Sequence, residues 1–232
     1  MFKKILLATS LVISTAYASE VPESVFEYIK KNKVQNVKST PIEGIYQLKT
    51  KSGQYIYVQK DGRYAFTAMF DLKTNSSLTK LEEDKDKVSL LNNLDENELI
   101  IYPAKGEQRG VLTIFTDTSC PYCTKLHNEV PKLQEQGVKV RYAAFPRGGK
   151  SGPGYKTMVS VWCSENRKEA LDSAFNSSFY SSKSCKSVES VNKQYKLGVK
   201  LKIAGTPASF SDKGVKIDGF MPARSILLKM GL

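Results

Sequence analysis

Cys120 and Cys123 stand three positions apart in TSCPYCTKLH (residues 118–127), between an apolar run and a stretch of helical spacing. Thiols so placed could hold a metal, close a small loop or exchange electrons with other sulfurs. A structural zinc site needs four Cys or His ligands. The motif offers Cys120, Cys123 and at best His127, the single histidine of the chain, and there is no second CxxC, so no metal is expected. A purely structural disulfide across so short a loop would gain little chain entropy. Redox exchange fits best, because the flanking residues give the pair a suitable setting.

VLTIFTD (111–117) reads as a strongly apolar strand, the cysteine motif as the start of a helix, and VKVRYAAFP (138–146) as a second strand. This is a βαβ unit, with parallel strands and the thiols where a strand's carboxyl end meets a helix's amino end. Free backbone N–H groups there favour a negative charge, so a Cys120 thiolate should be stabilised and its pKa drawn below the free value of about 8.5. Pro121 suits a first helical turn, since it has no N–H to leave unpaired. Cys123, one turn on, can close a disulfide with Cys120 and release a bound substrate. Leu126, Val130 and Leu133 form an inward stripe, and Pro131 should kink the helix. His127 is expected to be a surface or helix-packing residue, and Asp117 to serve a turn or cap.

The remaining cysteines, Cys163 and Cys185, flank a polar stretch of helical and then loop-like character. Closing that loop would contribute about 3 kcal/mol by the chain-entropy model, which favours a structural disulfide, with a second redox pair as the alternative. Further on, Gly205-Thr206-Pro207 precedes ASF and a turn at Gly214, giving two antiparallel strands entered through a proline. Local sequence alone favours a trans Thr206–Pro207 bond.

Earlier in the chain the period changes. PESVFEYIKKNK (22–33) places Val25, Phe26 and Ile29 on one helical face. IYQLKT (45–50), QYIYVQ (54–59) and RYAFTAMF (63–70) are strand-like and separated by Ser52-Gly53 and Asp61-Gly62 turns, an antiparallel meander. So small a unit is marginal alone, and its outer strand either pairs in a dimer or is blunted by lysine. Residues 74–98 read as a charged connecting helix with Leu78, Leu81, Val88 and Leu91 as a narrow apolar stripe.

The first residues, MFKK, then ILLATSLVIST, then AYA, have the order of a cleaved signal peptide ending near Ala18. Loss of Lys3 and Lys4 takes the formal charge from +12 to +10. No later stretch is long and apolar enough to span a bilayer, so the mature chain is expected to be exported and soluble, where disulfides persist. The lysines are scattered without a block of five or six. They read as a solvated basic surface rather than a nucleic-acid or membrane site.

FTDTSCPYCTKLH, RYAAFPR, the VWC…SC pair and GTPA follow one another in the order and at the spacings of the thioredoxin superfamily. The chain resembles specifically the DsbC-type periplasmic thiol:disulfide interchange proteins, over the whole mature length. The fold class implied is α+β. It comprises a small antiparallel N-terminal dimerisation domain (19–73), a connecting helix or linker (74–98) and a C-terminal thioredoxin-like α/β domain with a helical insertion (99–232). The resemblance implies that Cys120 attacks, Cys123 resolves, Pro207 is a cis proline with Thr206 before it in a substrate-binding loop, and Cys163–Cys185 is a non-catalytic disulfide. It also implies a V-shaped homodimer with a cleft for unfolded clients, a DsbD-type membrane reductase as electron donor, and no organic cofactor. Pro121-Tyr122 departs from the family's usual CGYC. CPYC is typical of glutaredoxins, which bears on the balance among isomerase, reductase and oxidase activity. A dedicated oxidase and a chaperone or binding module are the alternatives.

Overall fold

The computed structural model describes residues 21–176 and 184–232, so the expected signal peptide lies outside the described residues. The chain divides into two compact units, the boundary falling between Leu81 and Glu82.

In the first unit, helix α1 (Glu23–Lys31) is followed by strands β1 (Val34–Ser39), β2 (Ile45–Thr50), β3 (Tyr55–Gln59) and β4 (Ala65–Phe66), which form an antiparallel sheet in sequence order. Its core is Val25 from the helix with Val34, Leu48 and Val58 from three strands. The turns at Gly53 and Gly62 have positive φ, which glycine adopts without steric cost. One strand is added that the sequence did not announce, and one strand expectation is corrected. Residues 34–39 form β1, a mostly exposed edge that carries no alternation to betray it. Residues 63–70 are not one strand, because the chain leaves the sheet after Phe66 and pairs β5 (Phe70–Asp71) with β6 (Ser76–Ser77). The backbone of Met69 explains the departure: its N–H donates to Thr79 Oγ1 (2.9 Å) and its carbonyl accepts from Leu78 N (2.9 Å). Met69 is thereby anchored at the start of helix α2 (Leu78–Asn92) instead of in a ladder. In α2 the expected apolar stripe is incomplete, since Leu81 is exposed while Leu91 is buried.

The second unit contains β7 (Ile100–Tyr102), β8 (Gly110–Thr116), α3 (Pro121–His127), α4 (Val130–Glu135), β9 (Val138–Ala144), α5 (Tyr155–Trp162), α6 (Arg167–Asn176), α7 (Val188–Lys200), β10 (Ala208–Ser211), β11 (Lys216–Asp218) and α8 (Ala223–Met230). Its sheet runs β11-β10-β8-β9-β7. Only β8 and β9 are parallel, as the βαβ reading requires, and the other three pairings are antiparallel. Alternation along β8 and β9 sends Leu112, Ile114, Val140 and Tyr142 to one face and Phe115 and Ala143 to the other, giving the sheet a core on each side. The helix expected from the cysteine motif is broken, not kinked: α3 stops at His127 and α4 restarts at Val130, with Pro131 in its first turn, where a missing N–H costs nothing. Leu126, Val130 and Leu133 are buried across the break.

Helix α7 is tied to the end of β9. Gln194 is buried, accepting from Ala144 N (2.6 Å) and donating to the Glu98 carbonyl (2.7 Å). Gly198, one turn along, leaves room for the Phe145 ring, which a Cβ would overlap. Gly198→Ala should therefore destabilise the protein by about 1–3 kcal/mol through overpacking. Denaturant unfolding checks this, and an unchanged midpoint would mean that Phe145 repacks freely.

Candidate active site

The strand-to-helix turn after β8 carries both thiols. Cys120 is the residue before α3, extended at φ −100°, ψ 115°, and Pro121 opens the helix. The turn is held by Asp117, whose carbonyl accepts from Cys120 N (3.0 Å). The Asp117 carboxylate has no exposed surface and accepts from Ser119 N (2.8 Å) and Ser119 Oγ (2.7 Å), the turn role expected of it. It also does what the sequence did not indicate. Arg147, in the loop after β9, donates to it from both its backbone N (2.8 Å) and its Nε (3.1 Å). One carboxylate thus joins the two loops at the carboxyl ends of the parallel strands. Gly154, before α5, permits this approach, because a Cβ there would overlap Asp117 Oδ1.

Across the turn lies the loop entering β10. The Thr206–Pro207 bond is cis, as the resemblance implies and contrary to what local sequence favours. The surrounding backbone pairs directly: the Pro207 carbonyl accepts from Gly219 N (2.8 Å), and Ala208 is in register with Phe115 of β8. Cys120 Sγ donates to the Thr206 carbonyl (3.2 Å), so Cys120, Cys123, Thr206 and Pro207 converge on one place. Pro121 and Tyr122 form the outer lip. Tyr122 is 57% exposed, with Lys125 Nζ 5.2 Å from its ring centroid.

Cys120 and Cys123 are both unbonded and only 2% and 1% exposed. Their electrostatics nevertheless diverge. Burial pushes the Cys120 thiol up, but hydrogen bonding from the Thr206 side chain and from the Cys123 and Tyr122 N–H groups outweighs it, leaving the pKa below the usual thiol value. At Cys123 burial dominates, and the pKa is pushed up to about 12 against the pull of the Thr116 hydroxyl and the Asp117 backbone. The Arg147 guanidinium, beside Asp117, also acts on both sulfurs. An anion is therefore favoured at the first sulfur and opposed at the second.

The other cysteines are remote in role. Cys163, following α5, is disulfide-bonded to Cys185, with Cα atoms 5.6 Å apart, so neither is a free thiol. Among the described residues no group of His, Cys, Asp or Glu has the arrangement of a metal site, and no helix is long and apolar enough to cross a membrane.

His127 is not on the surface. It is buried on α3, its Nδ1 3.0 Å from the Tyr142 hydroxyl and its Nε2 3.1 Å from Asp172 Oδ1 on α6. Tyr102 of β7 also donates to Asp172, and Phe175 packs on the imidazole at 4.8 Å between centroids. The helical insertion is thus bonded to the cysteine-bearing helix. This link joins residues 45 positions apart and has no local sequence signature.

Residues 96–230 match the thioredoxin-like domain family, and residues 14–80 match the disulfide bond isomerase protein N-terminal domain. The chain is 32% identical to the thiol:disulfide interchange protein DsbC of Haemophilus influenzae, over 97% of this chain and 96% of the relative. It is 30% identical to the thiol:disulfide interchange protein DsbC of Escherichia coli, over 97% and 94% respectively. Among solved structures, a disulfide interchange protein from Neisseria gonorrhoeae superposes with a TM-score of 0.50 at 21% identity, covering 59% of this chain and 97% of that one, a likeness of fold.

The buried imidazole gives a pH dependence with a definite sign. Burial lowers the His127 pKa from its ordinary 6.5, more than Asp172 raises it. The unfolded state then binds the proton more readily, so this stabilising contribution is complete above about pH 6.5 and declines as pH falls below it. Denaturant midpoints should drop between pH 7.5 and 5, and His127→Gln should remove part of that drop. Equal pH slopes for the two proteins would show that the imidazole takes up protons equally in the folded and unfolded states, its pKa unshifted by folding.

Proposed function

The chain belongs to the DsbC family of thiol:disulfide interchange proteins, and we propose that it rearranges non-native disulfides in exported proteins, with Cys120 as the attacking thiol and Cys123 as the resolving one. The observation that carries this reading is the geometry of the CxxC turn, with Cys120 at the amino end of α3 against the Thr206–Pro207 loop and Cys123 buried one turn on, their pKa values displaced in opposite directions. A sulfur whose pKa is drawn down is the readier nucleophile of the two, while a neighbour whose pKa is pushed up is a slow one.

The Cys120 thiolate gives up its contact with the Thr206 loop, attacks one sulfur of a substrate disulfide and expels the other as a thiolate. A mixed disulfide results. A second substrate thiolate can then displace Cys120, which moves the disulfide without net oxidation. Alternatively Cys123 attacks Cys120, releasing the substrate reduced and leaving Cys120–Cys123 oxidised. The high pKa of Cys123 delays the second outcome, and the delay favours rearrangement over reduction. Thr206 and Pro207 present backbone against which an extended substrate segment lies, while Tyr122 offers an exposed aromatic surface beside the nucleophile. Pro121 in place of the family's glycine shifts the reduction potential, and about 30 mV corresponds to 1.4 kcal/mol for this couple.

Family membership supports the setting we propose. The protein works in the periplasm after loss of a signal peptide near Ala18, and a DsbD-type membrane reductase returns electrons to Cys120–Cys123. Residues 19–73 form a dimerisation domain, 74–98 a connector and 99–232 the catalytic domain. Chaperone activity toward unfolded clients is part of the same proposal. Phe70 and Leu72, well exposed on the first unit, support it, whereas Tyr55 and Tyr57 are buried and serve its packing.

The test uses the reduced mature protein with a scrambled multi-disulfide substrate. Cys120→Ala should abolish recovery of native disulfides, while Cys123→Ala should accumulate mixed disulfide and lose net reduction. The solution mass should be that of two chains. Normal rearrangement by Cys120→Ala would overturn the assignment.

A further inference from the structure

Resolution of the mixed disulfide poses a physical problem. Cys123 must become an anion at a site with almost no solvent, on the apolar face that Leu112, Ile114 and Tyr142 line. Something near the sulfur must offer a dipole at that moment. Thr116 is the last residue of β8, on the same face as Leu112 and Ile114 by strand alternation, with no exposed surface. Its backbone is committed, the carbonyl accepting from Phe145 N (2.8 Å). Its hydroxyl is not. Thr116 Oγ1 is buried with no partner in good hydrogen-bonding geometry among the described residues. A buried hydroxyl left in this condition costs free energy, and few persist without a use.

The geometry points to Thr116 as a positioning residue for the resolving thiol: its hydroxyl turns to donate to Cys123 Sγ when that sulfur carries the negative charge. This inference rests on the exchange reading above and refines it. In the resting protein the hydroxyl already draws the Cys123 pKa down against burial. Ionisation of the sulfur would convert a weak contact into a charge-assisted bond, about twice as strong as a neutral one. Ser209, also unpartnered and buried, is in register with Ile114, two residues back along β8 from Thr116.

The step balances as follows. Cys123 loses its proton, and its thiolate attacks Cys120 Sγ. The bond from Cys120 to the substrate sulfur breaks as the Cys120–Cys123 bond forms. In this step the Cys123 sulfur is oxidised from the thiol to the disulfide level and the substrate sulfur is reduced from the disulfide to the thiol level, while Cys120 stays at the disulfide level. The substrate sulfur leaves as a thiolate and takes up a proton equivalent to the one Cys123 released, so that over attack and resolution together two electrons pass to the substrate disulfide. Thr116 keeps its own proton throughout and lends only the dipole. The ionisable groups acting on this centre are Cys120 from before α3, Tyr142 from β9, and Arg147 from the loop after β9, paired with Asp117. Arg147 lowers the cost of the anion, while Tyr142, whose own pKa is raised by burial, stays protonated and adds no charge, so the pH profile reports Arg147 together with Thr116.

Oxidised glutathione serves as the probe. Reduced protein reacts with it in two steps, formation of the Cys120–glutathione adduct and then release of the second glutathione by Cys123, both followed by acid quench and mass spectrometry from pH 7 to 10. Thr116→Val, which keeps the shape and removes the donor, should leave the first step within about twofold of wild type and slow the second about tenfold, the scale of one charge-assisted hydrogen bond. Its release should stay below that of wild type at every pH in this range. Thr116→Ser, which restores the donor, should recover release to within about twofold. Wild-type release and pH profile in Thr116→Val would overturn the inference, as would a Thr116→Ser protein as slow as the valine variant. Failure of the wild-type protein to form any adduct at Cys120 would instead overturn the exchange reading itself, a result seen before resolution begins.

Discussion

Burial and ionisation oppose each other at Cys120. A thiol with 2% exposure would ordinarily be held protonated by its surroundings, yet hydrogen bonding from Thr206 and from the first turn of α3 reverses the balance. Those donors come from separate parts of the chain. The N–H groups of Tyr122 and Cys123 are available because they open a helix, and the Thr206 side chain arrives from 86 residues away on the loop before β10, the Thr206 carbonyl accepting from Sγ while the thiol is protonated. The register of β10 against β8, with Ala208 opposite Phe115, brings that loop to the sulfur. The sheet order β11-β10-β8-β9-β7 is thus a requirement of the site as well as a way of burying two apolar faces.

Around this pair the protein spends buried polar groups in a consistent pattern. Asp117 joins the loops after β8 and β9 through Ser119 and Arg147, so its charge is paired and bonded on every side, as a carboxylate without solvent must be. His127 joins α3 to the insertion helix α6 through Asp172 while its other nitrogen meets Tyr142. Together these bonds fix the ends of α3 from two sides. A seven-residue helix with a break directly after it gains its definition from such contacts more than from its own hydrogen bonds.

The legible parts were those in which a short stretch carries its own physics. The apolar runs of 111–117 and 138–146, the CxxC turn with Pro121 and the Asp61-Gly62 and Ser52-Gly53 turns all announce themselves locally, and the βαβ order makes β8 and β9 parallel. Illegible were features decided by distant partners. The β1 edge is polar because one side faces solvent, and the run 63–70 breaks because Met69 finds Thr79 rather than a neighbouring strand. Pro131 predicts a disturbance, but whether the helix bends or stops depends on packing. Thr116, Asp117–Arg147 and His127–Asp172 gain their roles only when β8, β9 and α6 are assembled. The residue types were visible, and their partners were not.

The central claim is that one CxxC turn displaces the pKa values of its two thiols in opposite directions. Alkylation of the reduced protein by iodoacetamide across pH 4–11, with each cysteine quantified by peptide mass spectrometry, measures this most directly. Cys120 should react with a midpoint below the ordinary thiol value while Cys123 stays protected through neutral pH. Equal midpoints for the two sulfurs, or a Cys120 midpoint at or above that of a free thiol, would contradict the account.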